Sequence, residues 1–490
     1  MHPPAPGSTA APSPHSDSSA QSAGSTPAES LPAEAPPAAL LPVVRRLSGW
    51  GNLRQETCQV ALPAHAEEIT ALLAGRDPRT WIARGLGRAY GDAAVNGGAG
   101  VIETSALEHT LWLDVSTGLV QCGGSLPLSM LIDHAVPRGY FLPVTPGTRW
   151  VTVGGAVAAD VHGKNHHRDG NLSEFLLDVT LLTAAGEVLV CSRTEHPDIF
   201  SATIGGMGLT GVILAARIKL LPIESAWVEV DYFKAHSLDE TLDLLATCGD
   251  QYRYSIGWID CLAGGGRLGR SVLMQGEHAP LDRLPAAARA NPLEMVAPRR
   301  WSVPMACPSM LLNRWSVRAF NAVCFRRQPS GRRLLSLDAY FYPLDGVQHW
   351  NRLYGRRGFA QYQAWLPHDS SQRGLVRLLE ILSRSGLASF LAGIKSSGRA
   401  GGGLLSFLEP GHTLALDIPH RRGLEALVEQ LDRVVLDVGG RLYLAKDALM
   451  SPGTFRATYP QLESFREVKA RIDPEHRWSS SLARRLEICP

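Results

Sequence analysis

Large apolar side chains are almost absent from Met1 to about Leu40, where Pro, Ala, Ser and Gly dominate, and they become frequent from Val43 to Trp50. The first composition buries too little surface to offset its ordering entropy, so residues 1–41 are expected to form a disordered tail without chemistry. From there to Pro222, short apolar runs alternate with glycine-rich turns. Ala66 to Leu73 (AEEITALL) spaces its apolar positions as an amphipathic helix does, and Trp81 to Ala83 predicts a short buried strand entering a glycine turn. Phe175 to Cys191 holds two apolar, β-branched runs around Ala184, Ala185 and Gly186, the pattern of a hairpin. Leu209 to Leu221 predicts another strand.

The pattern changes between Ala226 and about Gly439. Aromatic-rich runs predict strands at Tyr252 to Asp260 and Leu337 to Tyr342, and helical spacing marks Gly374 to Ser385 and Gly423 to Val438. The aromatic content suits a pocket wall and an ordinary core equally. Arg441 to Lys446 predicts a final strand before a helical C-terminus, and no repeat of solenoid period is present.

A chain of 490 residues suits two or three domains. The formal charge of +2 argues against nucleic acid as a main partner. The eight cysteines are scattered, with no CxxC pair and no zinc spacing, which fits a reducing compartment. No apolar run approaches the ~20 residues that span a bilayer, and the N-terminus lacks the layout of a secretory signal. A cytoplasmic protein is expected, touching a membrane at its surface if at all.

Candidate chemistry concentrates in three glycine-rich loops: RGLGRAYGD (Arg84 to Asp92), PGTRWVTVGGAVAADVHGK (Pro146 to Lys164) and GGMGLTG (Gly205 to Gly211). Glycines let backbone N–H groups approach an anion or a flat ring, and Arg84 and Arg88 add charge-assisted contacts. The second loop joins the pair Gly154 and Gly155 to an ionisable run, His162 to His167. By itself that run reads as the seat of a cofactor or as a buried helix start whose histidines fill hydrogen bonds. Metal ligation by His162, His166 and His167 is disfavoured, because no matched carboxylate or cysteine accompanies them. GGMGLTG leads into a strand rather than a helix, which excludes a Rossmann fingerprint.

These loops, together with NGG at Asn96 to Gly98, LDETL at Leu238 to Leu242, FYPLD at Phe341 to Asp345, QYQ at Gln361 to Gln363, GGRLYLAKD at Gly439 to Asp447 and the ARRLE near the end, resemble the FAD-binding oxidoreductases of the vanillyl-alcohol oxidase type. The likeness runs from about Trp50 to Leu486. It implies an α+β fold: an FAD-binding domain in two segments (42–225 and 439–490) around a substrate domain (226–438) built on an antiparallel sheet with flanking helices. Carried over residue by residue, Gly85, Gly87, Arg88, Ala89, Tyr90 and Gly91 meet the pyrophosphate. Thr148, Gly154, Gly155, Ala159, Asp160, His162, Gly163, Asn165 and His166 border the flavin, and Gly208, Val212 and Ile213 close on the adenine side. Many relatives join a histidine of the first loop covalently to the flavin; Tyr90 and its neighbours offer none, so noncovalent FAD is expected.

The activity implied is oxidation of the 2′-hydroxyl of a decaprenylphosphoryl ribose to the ketone. That is half of an epimerisation to the arabinose donor of cell-wall polysaccharide, completed by a separate NAD(P)H-dependent reductase. A lipid-linked substrate implies peripheral contact with the inner membrane face. Such a reaction needs a base or cationic donor beside the hydroxyl. Lys446, in isolation a surface strand lysine, becomes the first candidate and His162 the second. Trp258, Gln361, Gln363 and Lys395 match substrate-pocket positions. The departures are Ala415, where the family often carries the cysteine attacked by nitroaromatic inhibitors, Phe341 in place of a tyrosine, Ser481 in place of an aspartate, and a glycine-rich Ser396 to Gly403. Alternatives are an FAD oxidase of a soluble alditol or aldonolactone, and a non-catalytic flavin or scaffold protein.

Overall fold

The computed structural model describes residues 40–489, apart from 76–77, 249–250, 297–300, 309–311 and 388–389. The expected tail lies, through residue 39, outside the described residues.

Three sheets organise the described chain. In the first, β1 (Val43–Ser48) pairs antiparallel with β2 (Gln55–Ala61), and β4 (Gly100–Glu103) lies parallel to β2 and to β3 (Trp81–Arg84). The C-terminus adds to its edge: Trp81 N–H donates to the Arg477 carbonyl at 2.7 Å and Ser479 N–H to that of Trp81 at 2.9 Å. The second sheet is antiparallel, in the order β5 (Leu111–Asp114), β6 (Leu119–Gly123), β10 (Val212–Lys219), β8 (Leu176–Leu182), β9 (Val188–Ser192). Strands β8 and β9 are the expected hairpin, turned at Gly186 with φ of +81°. Short pairs join β7 (Tyr140–Phe141) to β11 (Leu221–Pro222) and β15 (Trp301–Ser302) to β17 (Val347–Gln348).

The third sheet has eight antiparallel strands in the order β16 (Gly331–Ser336), β12 (Trp227–Ala235), β14 (Ser271–His278), β13 (Tyr254–Ile259), β19 (Ala392–Ser397), β20 (Gly411–Pro419), β18 (Phe359–Pro367), β21 (Arg441–Leu442). Helices His368–Ser385 and Leu424–Asp437 bury leucine stripes such as Leu375, Leu378, Leu379 and Leu382. Sheets and helices in separate runs make the fold α+β.

Two expected strands differ. Leu337 to Tyr342 opens with a helix, Leu337–Phe341, because Ser336 caps it and Leu337, Tyr340 and Phe341 are buried at i, i+3 and i+4, a helical stripe rather than an alternation. Arg441 to Lys446 is strand only over its first two residues. Tyr443 N–H still donates to the Gln363 carbonyl at 3.1 Å, and then the chain turns, with Lys446 N–H on the Tyr443 carbonyl at 3.0 Å.

Candidate active site

The three glycine loops meet on one short helix, Val153–Ala158, which Thr152 caps by accepting from Gly155 N–H at 3.1 Å. A Cβ on Gly85 would stand 2.3 Å from Thr152 Oγ1, so only glycine lets the first loop reach the helix. The third loop is tied on by Gly205 N–H to the Val157 carbonyl (3.1 Å) and Met207 N–H to that of Ala158 (2.9 Å). The paired glycines act differently from the loop expected of them. Gly154 N–H is taken by the Gly124 carbonyl at 2.8 Å and Gly155 N–H by Thr152, so their small size serves close packing and their N–H groups are not offered to a ligand.

Unpaired donors lie instead in the first loop. The N–H groups of Gly87, Arg88 and Ala89 have no acceptor among the described residues, and Gly87 takes φ of +63°. The Arg88 guanidinium lies 4.1 Å over the Trp50 ring, with its buried Nε lacking a hydrogen-bond partner. Successive free donors beside an arginine suit a diphosphate, and the FAD pyrophosphate fits this cradle. Gly91 packs so closely that a Cβ would be 1.8 Å from the Asp447 carbonyl oxygen. Gly208, with φ of +79°, leaves open space except for Ile82, while Val212 and Ile213 are buried in β10. Thr148 donates to Asp345 at 2.7 Å, and Asp345 also accepts from Arg149 N–H at 2.8 Å, so FYPLD anchors the second loop.

The run beyond that helix divides between scaffold and site. The Ala159 carbonyl accepts from Tyr443 Oη at 2.8 Å. Buried Asp160, at φ of +38°, accepts from Asn171 Nδ2 (2.7 Å), Ser406 Oγ (2.5 Å) and Ser173 N–H (3.3 Å), while burial raises its pKa. Asn165 donates to Pro143 and Asp169, and a Cβ on Gly163 would clash with Asn165 Oδ1 at 2.5 Å. His166 Nδ1 accepts from Gly398 N–H at 3.3 Å, and His167 reaches the Tyr252 carbonyl. The glycine-rich segment now has a reason: Cβ atoms on Gly398 and Gly403 would stand 2.1 and 1.9 Å from the carbonyls of His167 and Ile204.

His162 meets a side chain of the eight-stranded sheet, where Gln363 Nε2 lies 3.0 Å from its Nε2. Burial, then the charges of Lys395, His166 and Lys446, hold its pKa well below the ordinary value, so the ring is neutral. With the Gln363 amide donating to Nε2, the proton sits on Nδ1, a buried atom without a partner of good geometry.

Directly opposed residues of antiparallel strands share a face. Trp258 opposes Gly393, Gly393 opposes Ala415, and Ala415 opposes Gln363, a row across β13, β19, β20 and β18. Lys395 with Thr413 lies one row to one side, and Gln361 with Asp417 one row to the other. Five substrate-side residues named from the sequence thus share one face. Trp258 Nε1 is fixed on the Phe390 carbonyl at 3.2 Å and Gln361 Nε2 on Asp417 at 2.6 Å.

Lys446 stands over this face with its Nζ 4.0 Å from the centroid of the Tyr90 ring, and Tyr90 N–H donates to the Ala445 carbonyl at 3.0 Å. Burial lowers the Lys446 pKa to about 7, with Asp417 pulling it back up and Lys395 pushing it further down. Burial likewise lowers Lys395 to about 8, and lowers Lys164, which donates to the Tyr340 carbonyl, to about 7. An amine that is partly neutral at pH 7 can take a proton from a hydroxyl.

Phe341 is 1% exposed and packs on Phe141, Tyr254 and Tyr340, and Tyr254 shares its face of β13 with Trp258, so this ring is buried against the same face, beyond the end of the row. Ser481 sits elsewhere, bonding Glu56 and Gly97 beside the first sheet. Two residues went unread in the sequence. Asp417, raised to about 7 by burial, lies two positions beyond Ala415 in HTLALDIP, so strand alternation places it on the same face. Tyr443, whose ring is 5.5 Å from His162 and stacked on Phe407 at 4.7 Å, had no such signal.

Comparison with known proteins agrees with this construction. The family described as FAD binding domain matches residues 58–192, which contain the first two loops. The decaprenylphosphoryl-β-D-ribose oxidase of Mycolicibacterium smegmatis is 38% identical over 450 residues, 91% of this chain and 98% of the relative. The L-gulono-1,4-lactone dehydrogenase of Mycobacterium tuberculosis is 24% identical over 437 residues, 86% and 94% of the two chains. Cytokinin dehydrogenase 10 of Oryza sativa subsp. japonica is 28% identical over 196 residues, 37% and 36% of the two. Cofactor loops, substrate face and identity along nearly the whole length agree: the chain belongs to the decaprenylphosphoryl-β-D-ribose oxidase family of FAD-dependent oxidoreductases.

Proposed function

We propose that the chain oxidises the 2′-hydroxyl of decaprenylphosphoryl-β-D-ribose to the 2′-keto sugar, the first half of epimerisation to the arabinose donor for cell-wall polysaccharide. The observation that carries this reading is Lys446, set over Tyr90 beside the polar face of Gln361, Gln363 and Lys395 with its pKa lowered to about 7. In its neutral form Lys446 takes the hydroxyl proton as the C2′–H bond breaks. Lys395, largely cationic at pH 7, balances charge on the sugar phosphate or on the developing alkoxide. Neutral His162, held by Gln363, contributes the wall and the Nδ1 donor. FAD, bound noncovalently at the first loop, supplies the hydride acceptor. Residues 42–225 and 439–490 form the cofactor half and 226–438 the substrate half.

A separate NAD(P)H-dependent reductase returns the keto sugar as its epimer, and the chain meets its lipid at the inner membrane face. Among the described residues no helix is long and apolar enough to cross a membrane. The test is flavin absorbance at ~450 nm: a polyprenylphosphoryl ribose bleaches it anaerobically, since reduction of the cofactor is the half-reaction itself. Bleaching by a soluble alditol or aldonolactone but not by the lipid-linked sugar would overturn the substrate. Acid precipitation is expected to leave a yellow supernatant.

A further inference from the structure

A strongly basic segment of the chain includes residues that lie outside the site. Residues 295–337 contain eight of the chain's 48 basic residues and none of its 46 acidic ones, so the remainder carries six more acids than bases. The same segment exposes large apolar side chains. Trp301 is 71% exposed, Met305 73% and Trp315 73%, with Phe320 and Val323 about half exposed.

The helix Arg314–Arg327 organises them. It buries Val317, Asn321 and Phe325 at i, i+4 and i+8, which places Trp315, Ala319, Phe320 and Val323 on the opposite, exposed side. Arg326 and Arg327 end that side, and Arg314 and Arg333 are exposed near it. None of these four arginines pairs with an acid among the described residues, whereas Arg332 is neutralised by Asp231 at 2.7 Å. Solitary exposed apolar residues need no explanation, but aromatic side chains grouped on a helix with unpaired arginines make an interfacial surface.

We infer that this face docks on an anionic lipid bilayer. Charge complementarity selects the occupant: a helix face with several unpaired arginines, in a segment without an acid of its own, is drawn to anionic headgroups, while Trp315 and Val323 enter the headgroup region. Its position gives the contact a purpose, an argument that rests on the reading of the substrate as lipid-linked. Phe320 packs edge-on against Phe390 at 5.7 Å, and the Phe390 carbonyl holds Trp258 of the substrate face. A lipid chain lying in the bilayer therefore arrives beside the sugar site.

Co-sedimentation of the FAD-loaded, full-length protein with phosphatidylcholine vesicles, with and without phosphatidylglycerol, tests this. Binding is expected on the phosphatidylglycerol vesicles, and it should largely disappear at about 1 M salt, where the screening length is about 3 Å. The variant Arg326→Glu/Arg327→Glu and the variant Trp315→Ser/Val323→Ser should each lose about tenfold or more in vesicle affinity, with the flavin spectrum unchanged. Wild-type protein left in the supernatant would overturn the inference. So would equal binding by both variants, or a wild-type dimer that the Trp315/Val323 variant abolishes, which would make a second copy the occupant. Flavin bleaching by a detergent-dispersed lipid-linked sugar is read separately and reports on the substrate alone.

Discussion

Gln363 and His162, 201 positions apart, meet at 3.0 Å, and through that hydrogen bond the second glycine loop is locked to the floor of the eight-stranded sheet. His162 Nδ1 already lacks a partner of good geometry, so Gln363 is the side chain that satisfies the ring. Replacing it by Leu leaves a buried imidazole unpaired at both nitrogens, which costs about 1–3 kcal/mol. Urea titration of Gln363→Leu should show that loss, together with a fall in kcat/KM. An unchanged midpoint would mean the contact is incidental.

Lys446 sets the pH dependence of turnover. The reaction uses the neutral amine, so the rate should rise with pH through about 7. The Asp417 carboxylate favours the ammonium form; Asp417→Asn removes that attraction and moves the midpoint to lower pH. Lys446→Ala should lower kcat about 10²–10⁴-fold while flavin stays bound. Stopped-flow flavin reduction across pH measures both, and turnover by Lys446→Ala at the wild-type rate would remove Lys446 from the chemistry.

His278 makes acid sensitivity traceable to one ring. It is enclosed by Phe141, Tyr254 and Phe341, and burial lowers its pKa to about 3. The unfolded chain binds this proton near pH 6.5 and the folded chain does not, so its contribution is intact above 6.5 and is lost progressively as pH falls toward 3. Wild-type protein should therefore lose more stability than His278→Gln between pH 7 and 4.5, by a difference of about 2 kcal/mol. Equal losses in paired urea titrations would show that the ring is charged in the folded state.

Glycines of the cofactor loops divide by what their neighbours are. A Cβ on Gly91 meets the Asp447 backbone oxygen at 1.8 Å, and backbone cannot swing aside. Gly91→Ala should cost about 3 kcal/mol and release flavin on gel filtration. Gly98, at φ of +74° with open space around a Cβ, should cost only about 1–2 kcal/mol as Ala and keep its flavin. Comparable flavin loss in both would refute the packing argument.

Ala415 opposes Gly393, which has no side chain, so there is room for a larger atom between Gly393 and Gln363. Ala415→Cys should take up a nitroaromatic electrophile at residue 415 during turnover, seen as a mass adduct, while the wild type gains none there. No adduct on the variant would show that the thiol cannot meet the reagent.

Much of this was legible in the chain because it is local. Loop glycines, the β8/β9 hairpin and the helices at 368–385 and 424–437 follow from composition and period over a few residues. The period-2 rule also reaches Asp417 from Ala415. It fails at Leu337–Phe341, where a Ser cap and an i, i+3, i+4 stripe mimic an aromatic strand.

The sequence by itself determined the cofactor loops, the residues able to take or give a proton, and the strands that carry the substrate face. Tertiary structure decided which of them act. It spent the N–H groups of Gly154 and Gly155 inside the protein and left those of Gly87 to Ala89 without an acceptor among the described residues; it turned Lys446 from a strand onto Tyr90; and it buried lysines until their charge became costly. Hydrogen-bond satisfaction and desolvation depend on what surrounds a group in space, and residues hundreds of positions away supply those surroundings.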